Sequence, residues 1–104
     1  MSNTVELIES QLKENQVLLY MKGDKEMPQC GFSQRAVQIL LACGVDFTSV
    51  DVLANPDIRA ELPQYSNWPT FPQLYIQGEL IGGSDIMFEM YESGELQQLL
   101  QQKV

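Results

Sequence analysis

Apolar positions in this chain fall into short runs and helical stripes, separated by glycine, proline and polar clusters. Val5, Ile8 and Leu12 share one helical face behind an Asn3–Glu6 pair that resembles a capping box, which predicts a helix ending near Glu14 and Asn15. "VLLYM", Val17 to Met21, is a continuous apolar run of the kind a buried strand needs. "KGDKEMPQ" then reads as a loop broken by Gly23 and Pro28. A helix is predicted from about Ser33, with Val37, Leu40 and Leu41 on one face and Gly44 as its stop. "DFTSVDV" alternates as a strand does. Asn55 as N-cap and Pro56 in the first turn open a helix to about Leu62. "SNWPTFP" is a loop, and "QLYI", Gln77–Gly78 and "ELIG" form a hairpin. A last helical stretch follows Gly83, carrying Met87, Met90 and Tyr91, then Leu96, Leu99 and Leu100 past a break at Ser93–Gly94. The order helix, strand, helix, strand, helix, strand, strand, helix predicts an α/β fold with a mixed four-stranded sheet covered on both faces.

A length of 104 residues and a hydrophobic share of 44% suit one compact domain. The net charge of −8 argues against a nucleic-acid surface, which needs a basic face. It leaves room for a small local cationic site and an anionic small molecule. The absence of histidine removes Cys/His zinc sites, Cys–His nucleophilic pairs and imidazole proton shuttles. Two cysteines are too few for a disulfide scaffold and fit a reducing compartment. The opening "MSNTVELIESQL" has no basic residue before Lys13 and so lacks the order of a signal or transit peptide. No apolar run is long enough to span a bilayer. The expected location is the cytoplasm, with no membrane and no nucleic acid among the partners.

Chemistry concentrates at "PQCGFSQR". A C-x-x-C pair between a strand and a helix reads as a thiol–disulfide site, but here Cys30 is followed by Ser33. A helix N-terminus stabilises the thiolate, and the Lys22 ammonium at the end of the strand adds to this. The alternative is a buried structural cysteine, against which the Gly, Pro and polar neighbours argue. Cys43, in "ILLACG", reads as a small core residue. A helix between the two cysteines spans roughly 18–20 Å, whereas a disulfide needs Cα atoms within about 7 Å. Ser33 can cap the helix but cannot displace a mixed disulfide. From residue types alone, "TFP" also fits a strand entry with a trans proline, "GG" an ordinary loop and Arg59 a solvated side chain.

"CGFS" at Cys30 to Ser33, with "LLYMKG", "NPDIRAELP", "NWPTFPQLY" and "GELIGGSDI", resembles the monothiol glutaredoxins of the bacterial single-domain class over essentially the whole chain. The resemblance implies a thioredoxin-like fold in one domain, residues 1–104, and a glutathione site. Thr70–Phe71–Pro72 looks like the family's cis-proline turn, presenting the Phe71 backbone to the tripeptide as a strand edge. Gly82–Gly83–Ser84–Asp85 resembles the turn that holds the γ-glutamyl end, with Ser84 and its neighbours offering N–H groups and Asp85 meeting the ammonium. Lys22 and Arg59 match cationic positions, Arg59 for the glycine carboxylate and Lys22 for the sulfur region. Two positions depart from the pattern. Ser84 stands where many members carry cysteine, and Gln64 where a lysine is often found.

A [2Fe–2S] cluster typically takes four thiolates. The resemblance implies that Cys30 from each of two protomers and two glutathione thiols supply them. The implied function is assembly and transfer of that cluster to apo iron–sulfur clients, as a homodimer when loaded, with BolA-like proteins as further partners. Thiol–disulfide oxidoreductase activity through Cys30 would be weak at most. The alternatives are a glutathione-dependent oxidoreductase, with Cys30 catalytic, and a redox sensor glutathionylated at Cys30.

Overall fold

The computed structural model describes residues 3–103. The elements are α1 (Asn3–Glu14), β1 (Val17–Met21), α2 (Gly31–Ala42), β2 (Thr48–Asp51), α3 (Pro56–Ser66), β3 (Gln73–Ile76), β4 (Glu79–Gly82), α4 (Ser84–Ser93) and α5 (Glu95–Lys103). The four strands form one sheet in the order β2-β1-β3-β4. β1 pairs parallel with β2 and antiparallel with β3, and β3 pairs antiparallel with β4.

β1 explains the core. It is a central strand covered on both faces, which is why its sequence is a continuous apolar run rather than an alternation. Val17, Leu19 and Met21 point to one side, where α2, α4 and α5 bring Val37, Leu40, Met87, Leu96 and Leu100. Leu18 and Tyr20 point to the other, packing with Ile8 and Leu12 of α1 and Ile58 and Leu62 of α3. The hairpin turn has Gln77 at φ 49° and Gly78 at φ 80°, a pair of left-handed residues whose twist matches the strands they join.

Several boundaries differ from the sequence expectation. α2 begins at Gly31, directly after Cys30, rather than at Ser33. Its buried stripe is centred on Ala36 and Leu40, so Leu41 falls past the edge and is 64% exposed. α3 continues through Pro63 to Ser66 and ends at Asn67, which takes the left-handed conformation. Asn55 precedes α3 as expected, but its side chain makes no capping bond; its amide donates back to the Asp51 carbonyl. The last helical stretch is two helices hinged at Gly94, where the sequence places its break. Asn3 is already helical, at the edge of the described residues.

Gly23 fixes the loop that delivers Cys30. It has φ +86°, and a Cβ there would lie 2.5 Å from the Met27 carbonyl oxygen and 2.6 Å from the Gln29 nitrogen. A left-handed non-glycine costs about 1–2 kcal/mol, and the contact adds overpacking. Gly23→Ala is therefore expected to lower the thermal midpoint by roughly 8 °C or more. Gly31→Ala meets nothing within 4 Å and should leave the midpoint unchanged or slightly raised. Thermal denaturation of both variants checks the pair; equal midpoints would refute this account of the loop.

Candidate functional site

The segment between β1 and α2 has little repetitive structure, yet it is tied at many points. Asp24 accepts hydrogen bonds from the N–H groups of Glu26 and Met27, turning the chain back on itself. The Gln29 N–H donates to the Lys22 carbonyl, and Gly23 pairs with Pro28 in an isolated bridge. The Gly23 N–H donates to the Asp51 carboxylate, which also accepts from Leu53 and so links the loop to the end of β2. Cys30 emerges from this loop in extended conformation and occupies the N-cap position of α2.

Ser33 differs from its expected role as a cap. It is fully buried, and its Oγ accepts the Lys22 N–H at 3.0 Å. The serine of C-x-x-S thus anchors the end of β1 to the first turn of α2. A buried hydroxyl needs such a partner, since an unpaired polar group in the core is costly.

The Cys30 thiol is half-buried and its pKa is lowered from the ordinary thiol value. The Ser33 N–H is the main cause, against an opposing desolvation; the Phe32 N–H, the Lys22 charge and the Ser33 hydroxyl add to the lowering. The side chain makes no full capping bond, so these N–H groups favour the thiolate through their approach to the sulfur. Phe32, which lines the cleft with Cys30, adds exposed apolar surface there. Cys43 sits at the far end of α2 as its C-cap, half-buried against the core, where desolvation raises its pKa. A rise of about 1.5 Å per helical residue keeps the two sulfurs apart.

A cleft of about 520 Å³ opens beside Cys30. Lys22, Cys30, Arg59, Phe71, Ser84 and Asp85, the six residues singled out in the sequence, all line it. They come from the β1 end, the α2 start, α3, the loop before β3 and the α4 start. The Phe71–Pro72 peptide bond is cis. α2 and α4 both aim their N-termini into this region, and no side chain caps α4 at Gly83. Gly83 is also a point of close approach, because a Cβ there would lie 3.3 Å from the Pro72 carbonyl oxygen and 3.7 Å from Trp68 Nε1. Two cations and two helix N-termini make a locally positive patch on a protein of net charge −8. A larger cleft of about 810 Å³, containing Cys43, lies at the other end of α2 and brings none of these groups together.

Residue-pattern reasoning misses what depends on long-range contact. Arg35 stacks on the Phe88 ring at 4.2 Å from its centroid and lies 3.7 Å from Asp85. Asp85 is 84% exposed, so this pair is loose and its carboxylate stays accessible. Trp68, Thr70 and Pro63 complete the cleft wall, and the Trp68 Nε1–H is buried without a hydrogen-bond partner. Arg35 lies within the quoted "PQCGFSQR", but nothing in sequence spacing pairs it with a helix fifty positions on.

Comparison with known proteins gives the family and the fold. A family model described as glutaredoxin matches residues 17–81. Glutaredoxin 4 of Escherichia coli (strain K12) is 63% identical over 102 residues, covering 98% of this chain and 89% of that protein. The probable monothiol glutaredoxin GrlA of Legionella pneumophila is 68% identical over 87 residues, covering 84% of this chain and 98% of that one. Among solved structures, reduced poplar apo GrxS14 superposes with a TM-score of 0.83 at 48% identity, covering 95% of this chain and 91% of that one. A buckwheat glutaredoxin–glutathione complex, at 20% identity and a TM-score of 0.81, covers 98% of this chain and 94% of its own and shares the fold. With one thiol at the helix start and serine three residues on, the chain belongs to the glutaredoxin family, in its monothiol branch.

Proposed function

We propose that this protein binds glutathione in the cleft beside Cys30 and carries a [2Fe–2S] cluster shared between two copies of the chain, which it passes to apo iron–sulfur proteins. The observation that carries the reading is a half-buried thiol of lowered pKa at the mouth of a cation-lined cleft that no second cysteine lines. The cleft volume lies within the ~300–1,000 Å³ typical of small-molecule sites. Its charges match a tripeptide with carboxylates at both ends and one ammonium. Arg59 receives the glycine carboxylate, the α4 N-terminus at Ser84 receives the γ-glutamyl carboxylate, and Asp85 exchanges Arg35 for the ammonium. The Phe71 backbone pairs with the cysteinyl unit, and Lys22 stands by the sulfurs.

The cluster is cargo, and the ligand count supports sharing. Cys30 is the one cysteine among the residues that line the cleft, so one chain contributes a single thiolate there. Two chains supply two thiolates, and two bound glutathiones supply the other two. Ligands that can leave make release to a client easier than four protein thiolates would. The exposed Phe32 in the Cys30 cleft offers apolar surface to whichever protein covers the cluster, a second copy or a BolA-like partner. No described helix is long and apolar enough to cross a membrane.

The thiolate character of Cys30 also favours a second reading, glutathione-dependent disulfide exchange. Cys30 would attack the glutathionyl sulfur of a mixed disulfide, releasing the client thiolate. A second glutathione thiolate would then displace Cys30, giving glutathione disulfide. With Ser33 buried and Cys43 remote, no internal thiol accelerates that second step, so turnover should be poor.

Three outcomes are expected. Anaerobic reconstitution with iron, sulfide and glutathione should give visible cluster absorbance and a dimer by size; Cys30→Ser should abolish both and Cys43→Ser neither. A cluster formed by Cys30→Ser, or without any small thiol, would refute the proposal. Arg59→Ala should weaken glutathione binding roughly three- to tenfold by calorimetry, between the ~0.2–1 kcal/mol of exposed ion pairs and the ~1.5–3 kcal/mol of charge-assisted hydrogen bonds; unchanged affinity would remove Arg59 from the site. Alkylation followed by mass spectrometry should modify Cys30 at lower pH than Cys43, since the thiolate is favoured at the first and disfavoured at the second; the reverse order would contradict the site electrostatics.

A further inference from the structure

Gln73 is fully buried and polar, one residue past the cis peptide bond and on the strand beside β1. Its Nε2 donates to two carbonyl oxygens of the cleft loop, Trp68 at 3.0 Å and Thr70 at 3.2 Å. Its Oε1 accepts the hydroxyl of Tyr75 at 2.9 Å. Tyr75 is buried and is met edge-on by the Tyr20 ring at 5.6 Å. The loop cannot tie itself at every point, because Pro69 and Pro72 have no N–H to give. Trp68, Thr70 and Phe71 line the cleft, and Gly83, which lines it too, lies against Pro72 and Trp68. A shift of this loop therefore reaches the Gly83 turn as well as the residues it contributes itself.

We infer that Gln73 is a positioning residue for glutathione: its amide, oriented by Tyr75, holds the Trp68–Phe71 wall in the shape the tripeptide meets. The inference rests on reading the cleft as a glutathione site. An uncharged amide suits the place because one planar group offers two donors and an acceptor. An apolar isostere strands two carbonyls and the Tyr75 hydroxyl. A carboxylate puts a negative oxygen against those carbonyls, whereas a protonated carboxyl can still donate to one of them and accept from Tyr75.

That last difference supplies the test. Titrations with reduced glutathione, followed by the fluorescence of Trp68, the only tryptophan in the chain, compare wild type, Gln73→Met, Gln73→Glu and Tyr75→Phe well below their melting temperatures and between about pH 5 and pH 8. The titratable groups around this pair are Tyr75 itself, Tyr20 on β1 and Tyr65 on α3, with Glu9 of α1 beside Tyr65. Burial pushes Tyr75 up to about 12 and holds Tyr20 above the ordinary phenol value, and desolvation together with the Glu9 carboxylate raises Tyr65, so all three stay neutral. Gln73→Met should bind roughly tenfold more weakly than wild type at every pH. Gln73→Glu should come within about threefold at the acid end and fall away as its buried carboxyl ionises, above the usual carboxylate range. Tyr75→Phe, the mildest change, should lose roughly two- to threefold and serves if the Gln73 variants do not fold. Wild-type affinity in folded variants, with no pH divergence, would overturn the inference while leaving the glutathione site standing. A wild type that fails to bind would overturn the site and the inference together.

Discussion

The Ser33 hydroxyl accepts the Lys22 N–H at 3.0 Å, and the position of the reactive sulfur follows from that bond. It joins the residue that follows the central strand to the first turn of α2, through the fully buried Ser33 side chain. The intervening loop must then close a fixed gap, which it does through Asp24, the Gly23–Pro28 bridge and the Asp51 carboxylate. Cys30 is left at the N-cap, where α2 offers free N–H groups to a negative sulfur. A second thiol at position 33 would have to give up this anchor. The absence of C-x-x-C is thus part of how the site is built.

The same economy governs charge. A chain of net charge −8 repels anions at long range. At the cleft, Lys22, Arg59 and two helix N-termini reverse that locally. Asp85 remains accessible because its contact with Arg35 is long and exposed. Such an arrangement favours a small zwitterionic anion over a polyanion, which would meet the acidic surface outside the cleft.

Much of this was legible in the sequence because local signals were strong. A doubly buried strand shows as a continuous apolar run, Val17 to Met21. A tight hairpin shows at Gln77–Gly78, and a helix stop at Gly44 and Gly94. Cys30 could be placed at a strand-to-helix junction for the same reason. The misreadings came where tertiary contacts decide. Leu41 follows helical spacing from Val37 but falls outside the buried stripe, and Ser33 looks like a surface cap yet is core. Gln73 reads as a polar strand residue, and only the fold shows its amide against Trp68 and Thr70. Lys22 and Cys30 follow from local signals, whereas Arg59, Phe71, Ser84 and Asp85 come from the family resemblance, since residue types alone give no reason to bring them to one place.

One usable thiol per chain is the feature that shapes the proposed chemistry. It denies the protein a fast internal disulfide and a complete ligand set of its own, and in the proposed chemistry glutathione meets each lack. Native mass spectrometry of the reconstituted complex tests this most directly, because it weighs the assembly intact. The account predicts two chains, one [2Fe–2S] unit and two glutathiones. A cluster held by a single chain, or by two chains with no glutathione, would contradict it.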